Sequence, residues 1–347
     1  MSLRAWISTI TLAFIAIIVF FSRHELVAAW KLLEQVNIWI LLLLVPGQIL
    51  VYYAGGEMIF SYLRSKKLIK MMKAPTLARM ALEMNFVNHV LPSGGVSGMS
   101  YMSWRLGHYG ISPGRATMAQ LVRHAMGLAS FIALLVVAVV IVTIDNGVNR
   151  WIILVSSGLV TGVVAVLFGA LYLFSSRSRM HIFAGWSTRS INFIVRKLTF
   201  GRKAKIVTLA KVEGFFEDMH EDFAVLRKEK KMLVKPFLWG LLYSALDALL
   251  FVITFWALGV TVNPAPVLIA YGVAALAGFF VVTPGGAGAY EAIMIAFLAI
   301  AGVSSGTAIA GIVLTRVILL LGTIGFGYLF YQHAILKYGK TNTPINR

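Results

Sequence analysis

The sequence predicts an all-α integral membrane protein, built as an inverted repeat of transmembrane helices. Hydrophobic residues make up 59% of the 347 residues and charged residues only 13%, a balance that a water-soluble domain cannot bury. Apolar segments of about 20 residues, the length that crosses a bilayer, recur along the chain. Breaks rich in proline and glycine interrupt this apolar sequence at 92–95 and 284–287, and they define an internal repeat.

Six segments are long and apolar enough to cross a membrane as full spans. They cover residues 5–21, 37–60, 116–144, 151–174, 236–259 and 307–335. Tryptophan residues lie near several of their ends, where the bilayer meets water. The first segment follows Arg4 and has no small-residue cleavage site, so we expect it to be a retained span and not a signal peptide.

The distribution of lysine and arginine predicts the orientation. Loop 61–75 carries five basic residues and no acid, and segment 175–235 carries 14 basic and 6 acidic residues. The loops at 145–149, 260–266 and 301–306 are almost uncharged. By the positive-inside rule, both termini and both basic segments should be cytoplasmic. The formal net charge of +18 is therefore expected to face anionic lipid headgroups and not nucleic acid.

Two segments between the spans are too short for two crossings, yet each must return to the side from which it enters. Segment 76–109 would start and end in the cytoplasm, and segment 266–301 would start and end outside. We therefore expect two re-entrant helical hairpins from opposite faces, which contribute four half-helices. Their tips contain Pro92, Gly94, Gly95, Pro284, Gly285, Gly286 and Gly288. The alternative is that these glycines only permit close helix packing.

An ungapped alignment of residues 90–122 with 282–314 matches 9 of 33 positions. The identical residues in the first segment are Val90, Pro92, Gly94, Met102, Leu106, Gly110, Ser112, Gly114 and Ala116. The chain is thus expected to form a single polytopic membrane domain over residues 1–347. Its parts are repeat 1 (37–144), a linker span with a basic amphipathic segment (145–235), repeat 2 (236–335) and a cytoplasmic tail (336–347).

Ionisable residues inside the membrane are candidate functional residues, because an unpaired charge at the bilayer centre costs about 3 kcal/mol or more. The candidates are Glu57, Arg123, Asp247, Glu291 and Arg316, with the polar Asn88 and His89 near the first tip. Two half-helix N termini and two arginines at similar depth predict a site for an anionic lipid headgroup.

Structural interpretations of the same residues stay open. Glu57 with Arg123, and Asp247 with Arg316, would form two ion pairs that only fix the helix register. Glu291 would either cap its half-helix or accept a proton. His89 would be an ordinary interior histidine with a satisfied hydrogen bond.

Two motifs resemble the signature of a known membrane family. The first is Asn-His-Val-Leu-Pro-Ser-Gly-Gly-Val-Ser-Gly at 88–98, and the second is Pro-Gly-Gly-Ala-Gly-Ala-Tyr-Glu at 284–291, with Arg316 in a later helix. Over residues 5–335 the chain is similar to the lysylphosphatidylglycerol synthase transmembrane family, also called UPF0104. The resemblance implies a flippase that moves a phospholipid, a hopanoid or a polyprenyl phosphate between leaflets of a bacterial or archaeal inner membrane.

We expect neither catalysis nor a cofactor. About 15 residues follow Gln332, too few for an aminoacyl transferase domain, and no phosphate-binding loop for ATP occurs. The seven histidines are scattered, and no metal-binding motif is present. A homo-oligomer is compatible with the sequence.

Two other functions remain as alternatives. The chain would be a membrane-embedded scaffold in lipid or envelope biosynthesis if its interior were dry and fully packed. It would be an intramembrane hydrolase if Ser97, in a Gly-Val-Ser-Gly motif, were a nucleophile with His124 as its base.

Overall fold

The computed structural model describes residues 23–34, 36–69, 72–91, 96–146, 175–198, 228–278 and 289–339, with residues 20 and 225 and scattered positions between 154 and 173. This part of the chain is almost entirely helical and contains no strand, which confirms the predicted all-α class. The predicted span 5–21 apart from residue 20, both tips (92–95 and 284–288) and most of 151–174 lie outside the described residues. Residues 199–224 of the predicted basic amphipathic segment also lie outside them.

The described helices are numbered in chain order. They are α1 (Arg23–Leu32), α2 (Ile38–Leu41), α3 (Leu44–Ser65), α4 (Ala74–Val90), α5 (Val96–Gly107), α6 (Pro113–Asn146), α7 (Arg177–Leu198), α8 (Val234–Ala257), α9 (Pro264–Gly278), α10 (Ala289–Ile300) and α11 (Ser305–Tyr338). A 3₁₀ turn at Lys230–Leu233 leads into α8.

Four of the described helical segments are long and apolar enough to cross a membrane. They are Ile38–Ser65, Pro113–Val142, Lys230–Ala257 and Ser305–Tyr338, and they contain most of the predicted spans 37–60, 116–144, 236–259 and 307–335. The helices continue past the apolar segments into basic sequence. From these helix ends, long lysine and arginine side chains can reach the headgroup region. The chain is therefore a multi-pass membrane protein.

Within the described residues, helices α4, α5, α9 and α10 cover 17, 12, 15 and 12 residues, fewer than the about 20 needed for a full crossing. Each lies beside its partner, α4 against α5 and α9 against α10. The first pair packs on α11 and the second on α6, so each pair contacts the long helix that follows the other. Helices α3 and α8 pack against each other between the two pairs.

Contacts between distant residues define the two ends of the bundle. At one end, His108 Nε2 lies 3.2 Å from Tyr338 O, and Arg64 and Lys235 line one groove. We call this the basic end. At the other end, Asn37 N donates to Ala257 O at 2.9 Å. The α4–α5 pair starts and finishes at the basic end, whereas the α9–α10 pair connects to α8 and α11 at the opposite end.

Backbone hydrogen bonds recur 192 positions apart where helices end. The matched bonds are Leu68 N to Leu63 O with Val260 N to Phe255 O, and Ile111 N to Leu106 O with Val303 N to Leu298 O. Gly110 and Gly302 have φ of 78° and 88°, in the left-handed region that favours glycine. This backbone conformation explains why both positions hold glycine.

The serines that follow these glycines also have matching roles. Ser304 Oγ accepts a hydrogen bond from Thr307 N at 3.2 Å and caps α11. Ser112 Oγ accepts from Arg115 N at 3.4 Å at the start of α6. Each hydroxyl satisfies an amide that has no partner within its helix.

Candidate functional site

The first tip is bounded by a hydrogen-bonded contact between α4 and α5. Asn88 Oδ1 accepts from Gly98 N at 2.8 Å, and Ser97 Oγ donates to Val87 O at 3.2 Å. Gly98 is the third residue of α5, so Asn88 caps the free N terminus of that half-helix from α4. A Cβ atom on Gly98 would lie 2.2 Å from Asn88 Oδ1, which explains the glycine at this position.

His89 lies beside this contact. Its Nδ1 is 2.8 Å from Asn85 O, one turn earlier on α4, so the ring has a backbone partner, as the structural interpretation expects. Arg316 on α11 is close enough to His89 to interact with it electrostatically. The α4–α5 pair therefore lies within electrostatic range of a charge from the second half of the chain.

Glu291 and Arg316 form an ion pair between α10 and α11. The structural alternative that paired Asp247 with Arg316 is wrong, because Glu291, the third residue of α10, binds the guanidinium. Its carboxylate lies in the first turn of α10, where the helix dipole also favours a negative charge. The Arg316 guanidinium stacks 4.6 Å from the centre of the Tyr290 ring.

Asp247 instead accepts a hydrogen bond from the hydroxyl of Tyr271, which joins α8 to α9. Tyr243 precedes Asp247 by one helical turn and lies within electrostatic reach of both Asp247 and Arg123. Tyr290 likewise interacts with Asp247 and with Arg316. Phenols thus connect the charged residues of different helices.

Glu57 pairs with Arg64, two turns further along α3. The structural alternative that paired Glu57 with Arg123 is therefore wrong. Arg123 and Tyr243 both approach Gly55, two residues before Glu57, and residues two apart on a helix point in nearly opposite directions. Glu57 therefore points away from Arg123. It lines a separate groove at the basic end, which Lys231 and Lys235 also line.

Arg123 lines a cavity of about 220 Å³ between α3, α6, α8 and α9. His124, Phe131, Tyr243 and Tyr271 contribute to its wall. His124 Nδ1 lies 2.8 Å from Gln120 O. In the part of the chain that the structure describes, no carboxylate lies within ion-pair distance of Arg123.

Seven of the charged and tyrosine residues described above form a polar group that we call the central cluster. Its members are Arg123, Tyr243, Asp247, Tyr271, Tyr290, Glu291 and Arg316. Four of the five charged residues predicted from the sequence belong to it, and Glu57 does not. Two guanidinium groups and the phenols of Tyr243 and Tyr290 can donate hydrogen bonds to phosphate or carboxylate oxygens, whereas the hydroxyl hydrogen of Tyr271 is already donated to Asp247. The arrangement is suited to bind an anionic group.

The tyrosines of the cluster are absent from the sequence-based candidates. Tyr243 lies one turn before Asp247, and Tyr290 directly precedes Glu291, so their spacing from the acids was the available signal. Tyr271 carried no such local signal, because only the packing of α9 against α8 brings it to Asp247.

A second buried charge group, which the sequence analysis missed, lies near the basic end. Glu83 Oε2 accepts from Tyr101 Oη at 2.8 Å and from Arg105 Nε at 2.9 Å. The Arg105 guanidinium lies 4.2 Å from the centre of the Tyr338 ring. This group holds α4, α5 and α11 together, and an acid inside the apolar segment before the first tip was its signal in the sequence.

The serine and histidine of the hydrolase alternative receive no support from this geometry. Ser97 donates its hydroxyl hydrogen to a backbone carbonyl, and the described hydrogen bond of His124 is to the carbonyl of Gln120. A nucleophilic serine would instead donate its hydrogen to the basic nitrogen of the histidine.

Comparisons with known proteins agree with the architecture. Residues 6–327 match the sequence model of a family described as the lysylphosphatidylglycerol synthase TM region. The chain is also similar to a protein of Methanothermobacter thermautotrophicus described as a UPF0104 membrane protein. The two are 26% identical over 233 residues, which cover 67% of each chain.

Proposed function

The chain belongs to the family of the lysylphosphatidylglycerol synthase TM region, and on this premise we propose that it is a flippase for a lipid with an anionic or polar headgroup. The observation that carries the proposal is Arg123, which lines the half-open pocket between α3, α6, α8 and α9 without a carboxylate partner among the described residues. The lipid would be a phospholipid, a hopanoid or a polyprenyl phosphate, and the protein would act without a cofactor.

The depth of Arg123 supports this function. It lies ten residues after the start of α6 at Pro113, or about 15 Å along the helix from the basic end. A guanidinium at that depth is costly unless water or an anion accompanies it. A lipid phosphate would supply the missing negative charge, and Tyr243 and Tyr271 would add hydroxyl groups around it.

The architecture that fits this function is the inverted repeat with two re-entrant hairpins, α4–α5 and α9–α10. Three observations support it: the short helices, their attachment at opposite ends of the bundle, and the hydrogen bonds that recur 192 positions apart. Because the basic end carries the positive loops, it would face the cytoplasm of a bacterial or archaeal cell. Both termini would then be cytoplasmic.

In this arrangement the headgroup would cross through the central cluster while the acyl chains stay in the bilayer. The ion pair of Glu291 with Arg316 would open when a phosphate competes for the guanidinium, and it would re-form after release.

The test is lipid movement in proteoliposomes that contain fluorescent phosphatidylglycerol, followed by chemical quenching from outside. The variant Arg123→Gln should reduce the rate at least tenfold, because it removes the charge and leaves a shorter, neutral polar side chain. Arg115→Gln is the matched control, since Arg115 is exposed at the start of the same helix. If Arg123→Gln moves lipid as fast as Arg115→Gln and the unchanged protein, the proposed site is wrong.

A further inference from the structure

A second cavity, of about 400 Å³, lies on the side of the bundle formed by α3, α4 and α11. Gln48, Tyr52, Arg79, Leu82, Phe326 and Phe330 line it. Ile49, Leu50 and Phe326 lie around its opening, and their side chains are 61%, 50% and 54% exposed. In a membrane these exposed side chains face lipid, so the cavity is a groove that opens towards the bilayer.

The inner end of this groove holds polar groups that already satisfy one another. Gln48 Nε2 donates to Leu319 O at 2.6 Å and to Thr323 Oγ1 at 2.9 Å, and it lies 3.0 Å from Tyr52 Oη. Tyr52 and Thr323 are also hydrogen-bonded to each other. Since these groups are engaged, the inner end does not require a polar ligand, and an apolar chain can occupy it without leaving them unpaired.

The other end of the groove carries a positive charge. Arg79 is exposed, and its guanidinium lies 5.5 Å from the centre of the Phe330 ring. No acid forms an ion pair with Arg79 in the part of the chain that the structure describes. Arg79 lies five residues after the start of α4 at the basic end, where a headgroup of the adjacent leaflet would meet it.

The distance between the two ends suits an amphiphile. From Phe330 to Gly322 the groove follows eight residues of α11, or about 12 Å parallel to the bundle. A lipid of the leaflet at the basic end has the same order of groups, with its phosphate outermost and its acyl chains directed inwards.

We propose that this groove is a binding site for an anionic phospholipid, with the phosphate on Arg79 and one acyl chain extending towards Gln48. The site is separate from the central cluster and does not rest on the proposed lipid movement. Tyr52 lines the groove and lies within electrostatic range of Asp247 in the cluster.

The test is native mass spectrometry of the delipidated full-length protein, titrated with phosphatidylglycerol or with phosphatidylcholine of the same acyl chains. All variants are made in an Arg123→Gln background, so that the central cluster does not contribute bound lipid. Arg79→Gln should weaken phosphatidylglycerol binding at least fivefold and change phosphatidylcholine binding little. Arg115→Gln, another exposed arginine at the same end, should have no effect.

Ala78 lines the groove, so Ala78→Phe should fill it and weaken the binding of both lipids. Soluble glycerol phosphate should not compete with phosphatidylglycerol, because it has no acyl chain. Equal phosphatidylglycerol binding by Arg79→Gln and Arg115→Gln would overturn the headgroup assignment. Unchanged binding by Ala78→Phe, or full competition by glycerol phosphate, would overturn the acyl-chain assignment. Retention of phosphatidylcholine binding by Arg79→Gln shows that this variant is folded.

Discussion

The side-chain oxygen of Asn88 lies 2.8 Å from the backbone nitrogen of Gly98, so a residue of α4 caps the first turn of α5 across the first tip. The contact fixes the two half-helices relative to each other. Asn88 and Gly98 therefore have a structural role within the motif at 88–98, in which Asn88 had been a candidate for the headgroup site.

Asn88→Ala should lower the free energy of unfolding by about 1 kcal/mol, the usual cost of a lost N-cap. Asn85→Ala is the control, because Asn85 donates to Ala81 O within its own helix and not across the pair. Gly98→Ala should be more harmful, since its Cβ would clash with Asn88. Adding Asn88→Ala to Gly98→Ala should restore part of the stability, measured by thermal unfolding in detergent. Strict additivity of the two changes would contradict the contact.

Because Glu291 and Arg316 form an ion pair, removing one of the two charges should destabilise the protein more than removing both. Glu291→Gln or Arg316→Gln alone leaves a buried charge without this partner, and each should cost about 3 kcal/mol in stability. The double variant should be more stable than either single one. Lipid movement should be lost in Arg316→Gln and in the double variant, because both lack the guanidinium, and slowed in Glu291→Gln, because no carboxylate remains to displace the phosphate from Arg316. A double variant that moves lipid normally would show that the pair is only structural.

The group around Glu83 should behave differently, because it lies outside the central cluster. Tyr101→Phe removes one hydrogen bond and should cost about 1 kcal/mol. Glu83→Gln leaves the buried Arg105 without its carboxylate and should cost about 3 kcal/mol. Protein that remains folded should still move lipid, as measured in proteoliposomes at a temperature below its unfolding transition. Loss of movement in folded Tyr101→Phe would assign this group a role in transport.

Lys67 and Gly259 end α3 and α8 at matched positions, with φ of 61° and 77°. A lysine in this left-handed conformation is strained by about 1 kcal/mol relative to glycine. Lys67→Gly should therefore raise the unfolding temperature, and Gly259→Lys should lower it. Lys66→Gly is the control, because Lys66 has φ of −82° and gains nothing from glycine. An increase in stability for Lys66→Gly but not for Lys67→Gly would contradict the shared turn.

Much of the fold could be predicted from the sequence, because length and hydropathy determine which helices span the membrane. The predicted spans 37–60, 116–144, 236–259 and 307–335 correspond to long helices of the structure. The repeated glycines and serines at Gly110, Ser112, Gly302 and Ser304 also have a local cause, the left-handed turn and the N-cap.

The pairing of charges could not be predicted, because it depends on the rotation of each helix about its axis. The alternative that paired Glu57 with Arg123 and Asp247 with Arg316 had the wrong partners, and the pair of Glu83 with Arg105 was missed. A carboxylate such as Glu57 can pair along its own helix with Arg64, and hydropathy carries no signal for that choice. Tyr271 illustrates the same limit, since only the tertiary packing of α9 makes it a hydrogen-bond donor to Asp247.

The central claim, a headgroup site at Arg123, is tested most directly by cryo-electron microscopy in nanodiscs of phosphatidylglycerol. The unchanged protein and Arg123→Gln are compared at a resolution that shows side chains. The account predicts density for a phosphate-sized group between Arg123, Tyr243 and Tyr271 in the unchanged protein, and its loss in the variant. A cavity without such density in the unchanged protein, or the same density in both, would contradict it.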